Sequence, residues 1–377
     1  MKNLPHRSSV GKKSDIKMKI CYKANIVTKE SVLTDSFVTV ENGIITYVGK
    51  EEPKDCEIAD CTGKYIMPGF IDIHCHASAK NMAYDDPQEV GDYHKAHGTT
   101  SMLLTYYRDV PHEKLLNCLN EVKDLIGKSN VIGAHLEGPI LNANFGTGSG
   151  NQQELPDKSK YIKYIESGVV KQWTSSPEVD GVCDMIKDIS AAGIVSAIGH
   201  SEASYAQVLK AYNSGAKLTT HIFDATGVTH DESTMDGTED ISFDEACMLM
   251  PDMYYEVICD KNWVHIKKEK LALLIKTVGI DRVIAITDSF MSDGDETRDI
   301  NVFYSADGKA DLSGSKLTMD KVAKNLFNAR YTPVQVSWLT SYNAAKLLKL
   351  SDRGEIAVGK KADIVLLDEN ANFIKVL

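Results

Sequence analysis

The sequence predicts a (β/α)8 barrel with a small β-sandwich domain built from both chain ends. Three observations carry that expectation: eight short apolar runs between residues 66 and 288, helix-compatible sequence between most of them, and β-rich stretches at either end. At the start, KICYKANIVTKE, SFVTVENGIITYVGK and CEIADCTGKYIM are short β-like runs broken by Asn-Gly and Thr-Gly turns. The far end, GEIAVGKKADIVLLDENANFIKVL, has the same character. The expected division is a flexible extension over 1–17, a small β-sandwich domain from 18–67 plus 350–377, and the barrel over 68–349.

The barrel strands are expected at 66–72, 100–105, 131–137, 170–175, 194–200, 217–222, 254–260 and 282–288. HEKLLNCLNEVKDLI (112–126) and ASYAQVLKAYNSG (203–215) illustrate the helical sequence between them. A doubly wound sheet gives a similar alternation, so the count alone leaves that fold open.

Composition narrows the function. The chain has 377 residues, 43% hydrophobic and 25% charged, which is globular rather than disordered. Its 42 Lys+Arg against 53 Asp+Glu leave −11, so no broad basic field exists for nucleic acid. No stretch approaches the ~20 apolar residues that span a bilayer. Residues 1–17 are basic without an apolar core, unlike a secretory signal; their lack of acidic residues before Asp15 leaves a transit peptide compatible. Eight cysteines without a C-x-x-C pair read as reduced thiols. The expectation is a soluble cytoplasmic protein binding neither nucleic acid nor membrane.

Polar residues of interest fall at the C-terminal ends of these runs: His74 and His76, Glu137, His200, His221 and Asp288. In a barrel such ends converge on one mouth. His74 and His76, two apart on an extended strand, face the same side, and Cys75 between them faces the other. Each residue alone has a structural reading, a hydrogen-bonded histidine or an N-cap carboxylate. Together, imidazoles and carboxylates at strand ends suit Zn²⁺, with Fe²⁺, Mn²⁺ or Co²⁺ as alternatives.

PGFIDIHCH, AHGTTS (96–101), HLEGPILN (135–142), SPE (176–178), GHSEASY (199–205), GAKLTTHIFDA (215–225), AITDS (285–289), LSGSKLTMD (312–320) and GEIAVGKKADIVLLD (354–368) together resemble the N-acetylglucosamine-6-phosphate deacetylase family, a branch of the amidohydrolases. The resemblance runs from about residue 20 to the C-terminus. It implies a metal held by Glu137, His200 and His221, and a second ion held by His74 and His76 with Glu137 and Asp288. One or two divalent ions per subunit are therefore expected. It also implies that Asp288 acts as general base and then acid in hydrolysing the N-acetyl group of an amino sugar. A homodimer is implied as well.

Several substrate positions depart from the family pattern. Ser149 stands near where a substrate-orienting histidine is usual, and Asp224-Ala225 replaces an Asn-Ala pair whose Asn contacts the sugar phosphate. Trp263 replaces a histidine, with His265 two residues on. Trp263 is compatible with stacking on a sugar ring or with plain packing. A carboxylate at 224 disfavours a phosphate, so the same chemistry on an unphosphorylated or cationic N-acyl substrate is the alternative. A different amide hydrolase and a non-catalytic protein of the same fold are the remaining ones.

Overall fold

The computed structural model describes residues 19–146, 153–230, 235, 237–295, 297–304 and 310–377. The extension expected over 1–17 and the candidate Ser149 lie outside the described residues. Four strands open the chain: β1 (Lys19–Val27), β2 (Val32–Glu41), β3 (Ile44–Gly49) and β4 (Glu57–Pro68). Eight more follow: β5 (Phe70–Cys75), β6 (Thr99–Tyr107), β7 (Val131–Glu137), β8 (Val170–Ser175), β9 (Val195–Ile198), β10 (Ala216–Thr219), β11 (Tyr254–Ile258) and β12 (Val283–Ile286). A hairpin, β13 (Ile300–Tyr304) and β14 (Ala310–Ser315), precedes the last pair, β15 (Ile364–Leu367) and β16 (Phe373–Val376).

Strands β5 to β12 form one parallel sheet in chain order. A helix follows each: α1 (Pro87–Ala96), α2 (His112–Leu125), α3 (Lys158–Glu166), α4 (Val182–Ala191), α5 (Tyr205–Ser214), α6 (Phe243–Met248), α7 (Lys268–Val278) and α8 (Met319–Asn328). These strands are buried on both faces, as sheets covered by helices are, and every residue of β5 and of β12 is buried. In α8, Met319, Val322, Ala323 and Leu326 are buried at three- and four-residue spacing, the stripe that packs a helix on a sheet.

The sheet closes where the chemistry lies. Asp288 N–H donates to the His74 carbonyl at 2.9 Å, and His76 and Ala77 N–H groups donate to the Ser289 carbonyl at 2.9 and 3.0 Å. Buried Asp72 reinforces this seam by accepting from Thr287 Oγ1 at 2.6 Å. Burial draws the Asp72 carboxyl up to about 6, against the hydrogen bonds that favour its charge.

The other sheet has the order β16-β15-β4-β1-β2-β3. It wraps its own core, which includes Ile26, Val38, Ile45, Ile66, Ile364 and Leu366. Its free edge is covered as Ile45 N–H donates to the Lys360 carbonyl and Ala362 N–H to the Gly43 carbonyl.

Several strands end earlier than expected, β9 at Ile198, β10 at Thr219, β11 at Ile258 and β12 at Ile286, and one expected run divides. The run 66–72 is two strands, not one: Ile66, Met67 and Pro68 belong to β4, and the barrel begins at Phe70. Periodicity misses the break because both sides are buried and apolar. The joint is Gly69, whose N–H donates to the Asp363 carbonyl at 2.7 Å while its carbonyl accepts from Ser341 Oγ at 3.0 Å. A Cβ there would lie 2.2 Å from Thr100 Oγ1 and 2.4 Å from its methyl. Gly69→Ala is therefore expected to cost about 1–3 kcal/mol by overpacking, measurable by urea unfolding. Thr100→Ala added to it should recover part of the loss; purely additive losses would show that the close approach is not the cause.

Candidate metal centre

Six side chains converge at the C-terminal mouth of the barrel. His74 lies on β5 with His76 just beyond it, Glu137 ends β7, and His200, His221 and Asp288 each lie two residues past β9, β10 and β12. These last three have φ of 49°, 23° and 45°, the left-handed region that non-glycine residues seldom occupy. Such backbone costs roughly 1–3 kcal/mol per residue and clusters at functional sites. Here it turns each side chain inward as the strand ends.

Among the described residues three groups are spaced closely enough to hold a cation: His74–His76–Asp288, Glu137–His200–His221 and Asp72–Cys75–His94. In the second, His200 Nε2 and His221 Nε2 lie 2.9 and 3.2 Å from Glu137 Oε1 and 3.1 Å from each other. In the first, His74 Nε2 and His76 Nε2 are 3.3 and 3.2 Å from Asp288 Oδ1 and 3.2 Å apart. Glu137 joins the two, since its Oε2 is 3.1 Å from His76 Nε2. Donors around a tetrahedral zinc ion at 2.0–2.1 Å stand roughly 3.3 Å from one another. The ring nitrogens thus converge at ligand-to-ligand spacing, and the donor set fits a divalent metal.

The second nitrogens show how the rings are held. His74 Nδ1 is 3.1 Å from Glu256 Oε2, and His221 Nδ1 donates to the Asp224 carbonyl at 3.2 Å. Each bond fixes a proton on Nδ1, so that Nε2, facing the centre, is the nitrogen whose lone pair a cation would take. His135, on the same strand as Glu137, is excluded from the cluster. It bonds Thr105 and Thr174 hydroxyls at 3.2 and 2.8 Å, and burial holds it far below the ordinary imidazole range.

Charge in this pocket is dominated by carboxylates. Burial opposes ionisation of Glu137, yet the imidazoles of His74 and His200 hold it well below the usual range. Burial likewise opposes a charged His221, but its bond to Glu137 and the charge of Asp224 bring it up to about 9. His74 also rises well above its ordinary value, against burial, because Glu137, Asp288 and Glu256 surround it. Burial keeps His200 below its ordinary value, so its lone pair is available.

The pocket above the centre encloses about 260 Å³, and Tyr107, Arg108, Asp109, Phe290 and Leu312 join five of the six in its wall, His74 lying beneath it. Asp224 and Ala225 line it too. Gly314 (φ +60°) lets the β13–β14 hairpin lean on the site, since a Cβ there would fall 2.6 Å from the Asp288 carbonyl. Trp263 is not in this wall. It is 7% exposed and borders a separate groove with Lys268, Glu269 and Tyr331, which accords with packing, one of its two sequence readings, rather than with stacking at the mouth. Its φ of 56° is left-handed, and its N–H donates to the Asp260 carbonyl at 3.1 Å. His265 is also buried outside the wall, bonded to Asp260 at 3.2 Å with Nε2 unpartnered. Cys75 lies 3.1 Å from His94 Nε2, which itself serves the Ala77 carbonyl at 2.9 Å. That bond needs the proton on Nε2, so no lone pair faces a cation there.

Sequence reasoning missed Glu256, its partner Gln172, and Asp72. The available signal was a lone charged residue inside an apolar strand run, as in YYEVICD.

A parallel barrel with imidazoles and carboxylates gathered at its C-terminal mouth defines a metal-dependent hydrolase. Residues 65–377 match the amidohydrolase family model, and the chain belongs to that family. N-acetylglucosamine-6-phosphate deacetylase of Lysinibacillus sphaericus is 28% identical, over 82% of this chain and 83% of its own. The enzyme of the same name from Bacillus subtilis is 28% identical over 93% of each chain. The crystal structure of the Thermotoga maritima enzyme of that name superposes with a TM-score of 0.79 at 26% identity, over 94% of this chain and 96% of that one.

The raised histidines give a pH dependence. In the metal-free protein, charged His221 contributes stability that is complete below about 6.5, the ordinary value, and lost as pH rises through about 9. Metal requires the uncharged ring, so its affinity should run the opposite way and weaken as pH falls from about 9, up to tenfold per unit for each proton displaced. Calorimetry in buffers of different ionisation enthalpy counts those protons. Binding without proton release and independent of pH would contradict this account.

Proposed function

We propose that the protein hydrolyses the N-acetyl group of N-acetylglucosamine-6-phosphate, yielding acetate and glucosamine-6-phosphate. The observation that carries the reading is the pair of imidazole–carboxylate groups joined through Glu137, with Asp288 beside them, in a chain similar along its length to deacetylases of that substrate. We assign the metal to Glu137, His200 and His221, with His74, His76 and Asp288 completing a second position; zinc suits these donors best. A divalent ion held there supplies Lewis acidity toward the amide carbonyl and lowers the pKa of water. We further take 68–349 as the catalytic unit, 18–67 with 350–377 as the accessory domain, and the protein as a cytoplasmic homodimer. No described helix is long and apolar enough to cross a membrane.

Asp288 moves the protons. His74 and His76 face its Oδ1, while Oδ2 has no protein partner among the described residues. Against burial, those imidazoles hold its carboxyl below the usual range, so it is ionised and able to accept a proton from water. The water oxygen bonds to the acyl carbon, the C–N bond breaks, and Asp288 returns the proton to the departing amine. Asp288→Asn should lower kcat by roughly 10²–10⁴. Metal content measured on the same sample separates lost proton transfer from lost metal; full loading with near-normal turnover would remove Asp288 from this role.

A second reading rests on Asp224, whose carboxylate lines the pocket without a hydrogen bond or ion pair among the described residues. Against it, Arg108 brings one cation to the same wall. Acetate release from N-acetylglucosamine with and without the 6-phosphate discriminates. The favoured reading requires at least about tenfold higher kcat/KM with the phosphate, a difference of ~1.4 kcal/mol in transition-state binding; equal or reversed values favour an unphosphorylated or cationic substrate.

A further inference from the structure

Glu256 is a fully buried carboxylate beside the centre, and it is not one of the converging ligands. It projects from β11, a strand that contributes no ligand. Its Oε2 faces His74 Nδ1 at 3.1 Å and accepts the His221 backbone N–H at 3.4 Å. Its Oε1 accepts from Gln172 Nε2 at 2.6 Å. A buried charge with this set of partners has a specific orientation, because each oxygen has its own donor.

We propose that Glu256 is a positioning residue that sets cation occupancy of the His74–His76–Asp288 group. By accepting from Nδ1 it keeps the His74 proton on that nitrogen, fixes the ring, and makes Nε2 the more basic ligand. The effect is directed. His74 meets Glu256 through its imidazole, whereas His221 meets it only through the backbone and has its own ring anchored on the Asp224 carbonyl. Loss of Glu256 therefore weakens one group and largely spares Glu137–His200–His221. The inference rests on the metal-centre reading and not on the identity of the substrate.

Gln172 makes the test selective. Its Oε1 is buried without a hydrogen-bond partner among the described residues. In Glu256→Gln the Gln172 amide can turn over, so that Oε1 accepts from the new amide while the new carbonyl still faces His74. That variant removes charge but keeps volume and hydrogen bonds; Glu256→Leu removes both.

Metal-free protein is titrated with Co²⁺, whose visible absorption reports each coordinated equivalent, against a chelator of known affinity. His76→Ala identifies the equivalent that belongs to His74–His76–Asp288. Glu256→Gln is expected to raise Kd for that equivalent by roughly 10–100-fold. Glu256→Leu is expected to lose it, and the other equivalent should remain within about threefold. The proposal is overturned if both variants bind Co²⁺ as the wild type does, if both equivalents weaken together, or if wild type takes up only an equivalent that His76→Ala retains. A measurement on unaltered Zn²⁺-loaded protein guards against variants that fail to fold. In ¹H–¹⁵N spectra with labelled histidine, His74 should show a slowly exchanging Nδ1 proton, assigned by its absence in His74→Asn; an unprotonated Nδ1 also overturns the proposal. Neither readout uses deacetylation, so failure of the substrate reading would leave this inference standing.

Discussion

Glu137, Asp288 and Glu256 are three carboxylates buried within one constellation, faced by imidazoles, and this concentration of negative charge is the constraint on which the rest of the mouth depends. Carboxylates removed from water are costly unless protons or cations accompany them. Without a metal, His74 and His221 take up protons and serve as the counterions. With one, the same nitrogens would turn their lone pairs to it. The arrangement suits an exchange of protons for a divalent cation, and the bonds on Nδ1 of His74 and His221 orient the rings for it.

Such a constellation requires a rigid frame, because its members come from β5, β7, β9, β10, β11 and β12 and their flanking turns. The parallel barrel supplies it through closure. Residues 74 and 288 are far apart in sequence, yet one backbone hydrogen bond joins them, and Asp72 with Thr287 locks the seam just below. The left-handed residues at 200, 221 and 288 then turn the chain where each strand ends. Strain at these points is held by the surrounding ladder, since a buried sheet cannot relax one strand end without disturbing its neighbours. The accessory sheet connects to this frame at Gly69, which lies between β4 and β5; its N–H bonds the Asp363 carbonyl next to β15 and its carbonyl accepts from the Ser341 hydroxyl on the helical turn at Trp338–Tyr342.

Much of this was legible beforehand. Eight apolar runs produced eight strands, because a strand buried on both faces must be apolar along its length, and that leaves a countable mark. The histidines and acids at the ends of those runs were equally visible, since the barrel geometry sends strand ends to one place. The break inside 66–72 left no mark. Two buried strands meeting at a glycine look like one run, and only the Asp363, Ser341 and Thr100 contacts separate them. Trp263 shows another limit: its place in the chain was compatible with the mouth or with packing, and only the structure puts it beside a separate groove with Lys268 and Tyr331.

The sequence by itself determined the fold class and the set of groups able to hold a metal, because both follow from residue type and local period. Only the tertiary structure decided how those groups are organised. That Glu137 faces both histidine sets, that His135 is tied off by two threonines, and that Glu256 reaches His74 from a strand bearing no ligand are consequences of side chains crossing the barrel interior. Those contacts join residues dozens to hundreds of positions apart, and no local pattern encodes a distance across the barrel.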